Sequence, residues 1–518
     1  MFKGHPKGLI PASLANMGER FGFYTMMAIL VLFLQAKFGL SGTNAGYIYS
    51  GFYFSIYILA LVGGIIADRI KNFKGTIFAG LILMGVGYAI MAFPTPTPVP
   101  NLPLYLSLSI FGLFVIAFGN GLFKGNLQAL VGQMYDNEKY GKLRDSGFSL
   151  FYAFINVGAI FAPFTALGIR NWWLGTNGFV YNASLPEQCH TFLDPGKVMS
   201  AENIANFQNY ANEAVVGSGT VTDLTAFANE YLNVFSTGFH YAFGIAIIAM
   251  LISTVIYLAN KKKFPNPGTV KVSGDGTITE EIKMEAKEVA QRIYALLAVF
   301  GVVIFFWFSF HQNGLTLTFF ARDYTDLSLF SFTIFGLKFE GAEMFQSMNP
   351  FFVVFLTPII VGLFGWLRSR GIEPSTPKKI AIGMGIASLA FVLMAIGSLG
   401  LPLFSDISSS QGGTPLLDAE RVTPFLLFGT YFILTVAELF ISPMGISFVS
   451  KVAPPQFQGM AQGGWLGATA LGNGLLFIGA ILYESIPIWM TWSIFVVACA
   501  ISMLTMIFML RWLERVAR

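Results

Sequence analysis

The sequence predicts an all-α membrane protein with twelve transmembrane helices arranged as two six-helix bundles. Hydrophobic residues make up 55% of the 518 residues, charged residues only 11%, and the mean hydropathy is +0.65. A soluble chain carries roughly a quarter charged residues. Apolar stretches of about 20 residues, the length that crosses a bilayer, recur twelve times along the chain. The net charge of +4 is spread over short loops and predicts no nucleic-acid partner.

Each apolar stretch is expected to be a helix, because a segment in lipid must satisfy its own backbone hydrogen bonds. Polar residues interrupt the fourth, seventh and tenth stretches. The expected spans are residues 9–36, 45–68, 75–93, 103–134, 147–168, 238–259, 292–320, 350–367, 379–400, 423–449, 457–484 and 487–510.

A polar linker over 261–291 separates the first six spans from the last six. It begins KKKFPNPGTVKVSGDG and continues as a charged stretch with helical character. We therefore expect an N-terminal six-helix bundle over 1–260 and a C-terminal one over 292–518. Two such bundles can rock around a central binding site.

The distribution of Lys and Arg predicts the orientation of the chain in the membrane. With both termini on the cytoplasmic side, about 23 of the 31 basic residues fall in cytoplasmic segments. Such an asymmetry is typical of the inner side of a membrane. We expect a multi-pass protein of the cell membrane with cytoplasmic N- and C-termini.

Residues 169–236 form a long polar insert between the fifth and sixth spans, on the outer side in this orientation. It contains two helix-like stretches, 200–216 and 222–235, with Ser200 and Thr222 as candidate N-caps. The insert is either a cap that shapes access or holds a partner, or a passive insertion of the kind surface loops tolerate.

Four charged residues lie inside apolar spans: Glu19 and Arg20 in the first, Lys124 in the fourth and Glu438 in the tenth. Ionisable residues at membrane depth normally face a partner or a watery cavity. A cavity that presents Arg20 and Lys124 together with Glu438 complements a zwitterion such as an amino acid or a short peptide. A buried ion pair that only holds helices together is the alternative.

Neutral polar side chains accompany these charges. The amides of Asn156 and Asn349 can both donate and accept hydrogen bonds, which suits recognition of a peptide bond. Tyr24 and Tyr57 add hydroxyl groups on aromatic walls. Interhelical hydrogen bonding by the amides and simple packing by the tyrosines are the alternative interpretations.

Several fragments, in the right order and on the right spans, resemble one family over essentially the whole chain. The family is the proton-dependent oligopeptide transporter (POT, or PTR) family of the major facilitator superfamily. NMGERFGFY resembles its pattern E-x-x-E-R-F-x-Y-Y, and GGIIADRIKNFKGTI resembles the superfamily's G-x-x-x-D-R loop. The other fragments are GNGLFKGNLQALVGQMY, DSGFSLFYAFINVGAIFAP, MFQSMNPFFVVFLTP, TVAELFISPMGISFVSKVAP and the segment around Trp465.

The resemblance implies roles for individual residues. Arg20 and Lys124 would meet the peptide carboxylate, and Glu438 would hold the amino end. Glu438 and Lys124 would also form an interhelical pair that breaks and re-forms during transport. Further substrate contacts are implied for Asn156, Asn349, Tyr24, Tyr57 and Trp465, and a gating role for Asp68 and Arg69.

Three positions depart from the family pattern. Asn16 replaces the first glutamate of E-x-x-E-R, His311 stands where the seventh span commonly carries an acidic residue, and Phe23 replaces one of two paired tyrosines. An imidazole changes charge near neutral pH, so His311 can titrate. We expect proton coupling through Glu438, Glu19 and His311; a packing role without titration is the alternative for His311.

The resulting hypothesis is a secondary active transporter that imports di- and tripeptides by proton symport through alternating access. We expect no cofactor and no metal, a lipid bilayer as surroundings, and a functional monomer. No Walker, H-E-x-x-H or G-x-S-x-G motif indicates an enzyme. The alternatives are the same fold with another substrate, such as nitrate or a modified amino acid, and a peptide receptor that does not transport.

Overall fold

The computed structural model describes residues 4–135, 137–140, 143–217, 219–265, 286–334, 336–454 and 457–517. Within these ranges, twelve helical segments are long and apolar enough to cross a membrane, which confirms the predicted number. Most of the predicted linker, 266–285, lies outside the described residues.

The described residues of the first half form eight helices, of which six are spans. They are α1 (Leu9–Phe38), α2 (Gly42–Ile70), α3 (Phe73–Ala92), α4 (Leu102–Gln133), α5 (Arg144–Thr176), α6 (Leu185–Leu193), α7 (Ala201–Ala214) and α8 (Leu224–Asn260). The short helices α6 and α7 lie between the fifth and sixth spans.

In the second half, the residues that the structure describes form the six spans from eight longer helices and add one short helix. They are α9 (Ala286–Phe310), α10 (Thr316–Asp323), α11 (Met348–Ser369), α12 (Thr376–Gly397), α13 (Phe404–Ile407), α14 (Phe425–Val452), α15 (Gln458–Gly474), α16 (Phe477–Ser485) and α17 (Ile488–Val516). Strands β1 (Phe332–Ile334) and β2 (Leu337–Phe339) form an antiparallel hairpin before α11.

Helix packing defines two bundles. In the first, α1 packs on α5 and α8, and α4 packs on α2 and α3; in the second, α12 packs on α14 and α17, and α9 on α15. Close approach relies on glycine: a Cβ on Gly63 would overlap the backbone of Gly121, and one on Gly80 would crowd Gly119. Small residues at helix interfaces are typical of membrane bundles. Contacts of α2 with α15 and α16, and of α5 with α11, join the bundles.

The ends of the fifth and sixth spans differ from the hydropathy prediction. Helix α5 continues to Thr176, and α8 already begins at Leu224, so the predicted helix over 222–235 is the start of α8. The N-cap is Asp223, whose carboxylate accepts backbone N–H groups, and the assignment to Thr222 is wrong. The Ser200 cap is confirmed. Amphipathic turns beyond the bilayer carry little hydropathy signal, which explains the difference.

Two spans of the second bundle are broken rather than continuous. Helix α9 ends at Phe310, a 3-10 turn follows over His311–Gly314, and α10 completes the seventh span. The eleventh span breaks between α15 and α16. Broken helices free backbone polar groups and are tolerated at membrane depth where they line a cavity. The first break places His311 at the centre of the protein.

Candidate functional site

A cavity of about 310 Å³ lies between the two bundles. It is walled by α1, α2, α4 and α5 of the first bundle and by the seventh, eighth, tenth and eleventh spans of the second. All the residues proposed for substrate binding line it: Arg20, Tyr24, Tyr57, Lys124, Asn156, Asn349, Glu438 and Trp465. His311 lines it as well. The structure therefore brings together side chains that are hundreds of residues apart, while their roles stay predictions.

The first charged group of the cavity is the guanidinium of Arg20, which is held by the neighbouring carboxylate of Glu19. Arg20 Nε donates to Glu19 Oε2 at 2.5 Å, and Nη2 donates to Oε1 at 2.6 Å. Both side chains are buried, but only Arg20 is part of the cavity wall. Arg20 thus forms an ion pair with its sequence neighbour Glu19, and Nη1 of Arg20 is not used by this pair.

The other two charges have no ion-pair partner within the described ranges. The ammonium of Lys124 lies 5.1 Å from the centre of the Tyr57 ring. Glu438 Oε2 accepts a hydrogen bond of 2.8 Å from Asn349 Nδ2, which also contacts the Thr435 hydroxyl at 3.0 Å. The expected Lys124–Glu438 pair is therefore not formed in this conformation. Unpaired charges are costly inside a protein, and a site for a charged ligand compensates that cost.

His311 is held in a defined orientation at the helix break. Its Nδ1 donates to Asn473 Oδ1 at 2.5 Å, and its ring stacks on Trp307 with the ring centres 4.8 Å apart. Tyr53 contacts the imidazole from α2 at the same centroid distance. Asn473 lies 162 residues from His311, and no sequence pattern indicates this contact. Trp307 precedes His311 by one helical turn, so the four-residue spacing alone predicts that the two side chains lie on the same helix face.

Three tyrosines on α2 form an aromatic wall of the cavity. Tyr49, Tyr53 and Tyr57 follow at four-residue intervals, with ring centres 5.8 and 5.9 Å apart. Residues four apart lie on one face of a helix. Sequence reasoning selected only Tyr57, although the spacing alone identifies the stripe.

The proposed amide contacts and gating residues lie in different places. Asn156 lines the cavity and donates to the carbonyl oxygen of Tyr152 in its own helix at 3.1 Å. Asp68 and Arg69 are exposed at the end of α2, on the face that carries the termini. They do not line the cavity.

Polar bonds join the two bundles on the face opposite the termini. Glu484 at the end of α16 accepts from the backbone N–H of Gly42 at 2.6 Å and from the hydroxyl of Thr43 at 2.5 Å. Arg170 of α5 forms a fully buried ion pair with Glu343, just before α11. The guanidinium also lies over the Tyr181 ring at 4.1 Å. These bonds hold the two bundles together on this face, and we call them the seal.

Comparisons with known proteins agree with this architecture. The model of the POT family matches residues 74–273 and 269–490. The chain therefore belongs to the POT family, a family of membrane transporters, and is not an enzyme.

Individual relatives are distant but match most of the chain. The peptide transporter YePEPT of Yersinia enterocolitica is 28% identical over 536 residues, covering 98% of this chain and 95% of the relative. Dipeptide and tripeptide permease A of Escherichia coli is 26% identical over 470 residues, covering 90% and 82%. A crystal structure of a peptide transporter POT in complex with sulfate shares the fold, with a TM-score of 0.70 and 23% identity, covering 100% of this chain and 96% of that one.

The packing of the cavity wall yields a first prediction, for Gly445→Ala. A Cβ at Gly445 would overlap the indole ring of Trp465. Overpacking of this kind costs about 1–3 kcal/mol, so we expect a lower temperature of thermal unfolding in detergent, followed by tryptophan fluorescence.

Gly467→Ala is the matched control, because nothing lies within 4 Å of its added Cβ. Alanine is the better helix former by about 1 kcal/mol, so this variant should unfold at the wild-type temperature or above. Equal effects of the two substitutions would contradict the packing argument.

Proposed function

We propose that the protein is a secondary active transporter that imports di- and tripeptides together with protons. The observation that carries the proposal is the charge layout of the central cavity. The first bundle contributes the cations Arg20 and Lys124, and the second contributes the carboxylate of Glu438. The peptide transport named for the Yersinia and Escherichia relatives supports the same substrate class.

The layout suits a short peptide with free termini. Arg20 and Lys124 attract the terminal carboxylate, and a guanidinium is well suited to bind one. Glu438, oriented by Asn349, attracts the terminal ammonium group. A simple anion such as nitrate would gain from the cations but would be repelled by the carboxylate, which has no cationic partner among the described residues. Peptide is therefore preferred over nitrate.

The position of the seal supports alternating access. With the termini in the cytoplasm, as the Lys and Arg distribution favours, the bonds of Glu484 and Arg170 close the outer face. The described conformation is then closed to the outside. Uptake requires these bonds to break while the bundles rock around the cavity. One chain supplies the whole cavity, which supports a functional monomer in the cell membrane.

Proton coupling in this proposal uses the titratable groups at the cavity. A proton on Glu438 removes the charge that holds the peptide ammonium and so favours release. Lys124 is free to approach Glu438 when the bundles move, since it has no ion pair within the described part of the chain. His311, oriented by Asn473, and Glu19 are the other candidate carriers. Asn16 cannot take part, because an amide does not titrate.

The test is uptake of a labelled dipeptide into proteoliposomes with and without an inward proton gradient. We expect accumulation that depends on the gradient and that unlabelled tripeptide, but not nitrate, competes away. In Glu438→Gln, whose side chain cannot carry a proton, accumulation should be lost while exchange of internal for external peptide persists.

Three outcomes would contradict the proposal. Uptake of nitrate without peptide competition would assign a different substrate. Unchanged proton dependence in both Glu438→Gln and His311→Ala would exclude these two groups as carriers. Binding of dipeptide without accumulation would favour a receptor.

A further inference from the structure

Asn120 of α4 is the second partner of the Glu19–Arg20 pair. It is fully buried, and its Nδ2 donates to Glu19 Oε1 at 2.9 Å. It lies one helical turn before Lys124, so α4 supplies both a cavity cation and the support of the other cation. Its own Oδ1 is buried without a partner within the described ranges. A buried acceptor left unpaired is costly, which argues against a purely structural reason for an amide here.

We propose that Asn120 is a positioning residue for carboxylate recognition: it holds Glu19, and through Glu19 it fixes the guanidinium of Arg20 relative to Lys124. The inference rests on the proposed function. Glu19 and Arg20 are neighbours on α1, so the ion pair between them does not by itself fix the position of the guanidinium relative to another helix. The bond from Asn120 ties the pair to α4 and so sets the spacing of the two cations.

The experiment compares uptake of a dipeptide with uptake of the same dipeptide as its C-terminal amide. In Asn120→Ala we expect the KM for the free acid to rise about tenfold, the effect of weakening one charge-assisted hydrogen bond. The KM for the amide and both maximal rates should stay near wild type. A purely structural role would shift both substrates equally.

Asn126→Ala is the matched control. Asn126 is also a buried amide on α4, but it donates only to the backbone carbonyls of Gly63 and Leu122. It should leave the ratio of the two KM values unchanged. An unchanged ratio in Asn120→Ala, with wild-type uptake present, would overturn the positioning role alone.

A readout without transport separates this inference from the proposed function. Absence of wild-type uptake would refute the function, and the reactivity of Arg20 towards phenylglyoxal, mapped by mass spectrometry, then tests Asn120. We expect faster modification of Arg20 in Asn120→Ala than in wild type and in Asn126→Ala. Equal rates would overturn the inference.

An independent observation concerns residues 177–217 and 219–223, the described part of the predicted 169–236 insert that lies between α5 and α8 and that we call the insert from here on. It is anchored on the first bundle: His190 Nε2 donates to the carbonyl oxygen of Ala36 at 2.7 Å, and the Asn182 N–H donates to the Tyr231 hydroxyl at 3.1 Å. Leu185 of α6 is fully buried against the same bundle.

The insert also reaches the second bundle. Glu187 of α6 accepts hydrogen bonds from the Ser408 hydroxyl and, at 3.0 Å, from the Ser410 N–H. Asn203 of α7 donates to the Gly412 carbonyl oxygen at 3.0 Å and accepts from the Thr414 hydroxyl at 2.6 Å. All four partners lie in 408–414, the connection between α13 and α14.

We infer that the insert is a latch that holds the two bundles together on the face opposite the termini. Its four bonds join the same face as the bonds of Glu484 and the Arg170–Glu343 ion pair. Any motion that opens this face must break them, so the latch favours the described conformation. The alternative of a passive insertion predicts no effect on the separation of the bundles.

The test measures the distance between spin labels at Leu102→Cys and Leu399→Cys, exposed positions on this face in the two bundles. The native Cys189 and Cys499 are replaced by serine. In Glu187→Ala/Asn203→Ala we expect an added population at longer distance. A disulfide between Asn203→Cys and Thr414→Cys should remove every long-distance population.

The matched control is Glu202→Ala/Asn209→Ala, which removes exposed side chains of α7 on which no cross-bundle bond depends. It should leave the distance distribution of the parent unchanged. Identical distributions in the latch variant and the control would overturn the latch.

Discussion

The structure depends on one constraint: a charge inside a lipid-embedded bundle must be compensated by the protein or by a ligand. An ionised side chain at this depth costs a few kcal/mol or more. Glu19 and Arg20 compensate each other, with Asn120 as support. Lys124 and Glu438 do not pair, and each faces the same cavity from a different bundle. The uncompensated charges are therefore located where a zwitterionic ligand would neutralise both.

The same constraint explains the opposite face. Arg170 and Glu343 come from different bundles and are both fully buried, so neither charge is compensated once the bundles separate. Separating a buried pair costs more than separating a surface pair, because each ion is left without a partner in the protein interior until water reaches it. The Arg170–Glu343 pair thus stabilises the closed state, and both side chains need hydration when the bundles separate. The nearby cavity of about 550 Å³ beneath the insert is lined by apolar side chains and by charged ones that include Arg170 and Glu187, and it provides space for that water.

Much of the fold and of the site could be predicted from the sequence, for physical reasons. Hydropathy identifies the spans because a segment in lipid must be apolar over about 20 residues. Charges within spans are rare, which identifies Arg20, Lys124 and Glu438. Partners could not be predicted, since the contacts of Glu19 with Asn120 and of His311 with Asn473 depend on helix rotation and depth. The extension of α8 to Leu224 was missed because those turns lie beyond the apolar stretch. No sequence pattern predicts the hydrogen bonds of Glu187 and Asn203 with residues in 408–414, because the partners are more than 200 residues apart.

The central claim is that the two bundles divide the recognition of a zwitterion between them. A cryo-electron microscopy structure of the protein with a bound dipeptide tests it most directly. The account predicts the peptide carboxylate within hydrogen-bond distance of Arg20 or Lys124, and its ammonium group beside Glu438. A peptide bound in the reverse orientation, or outside this cavity, would contradict the account.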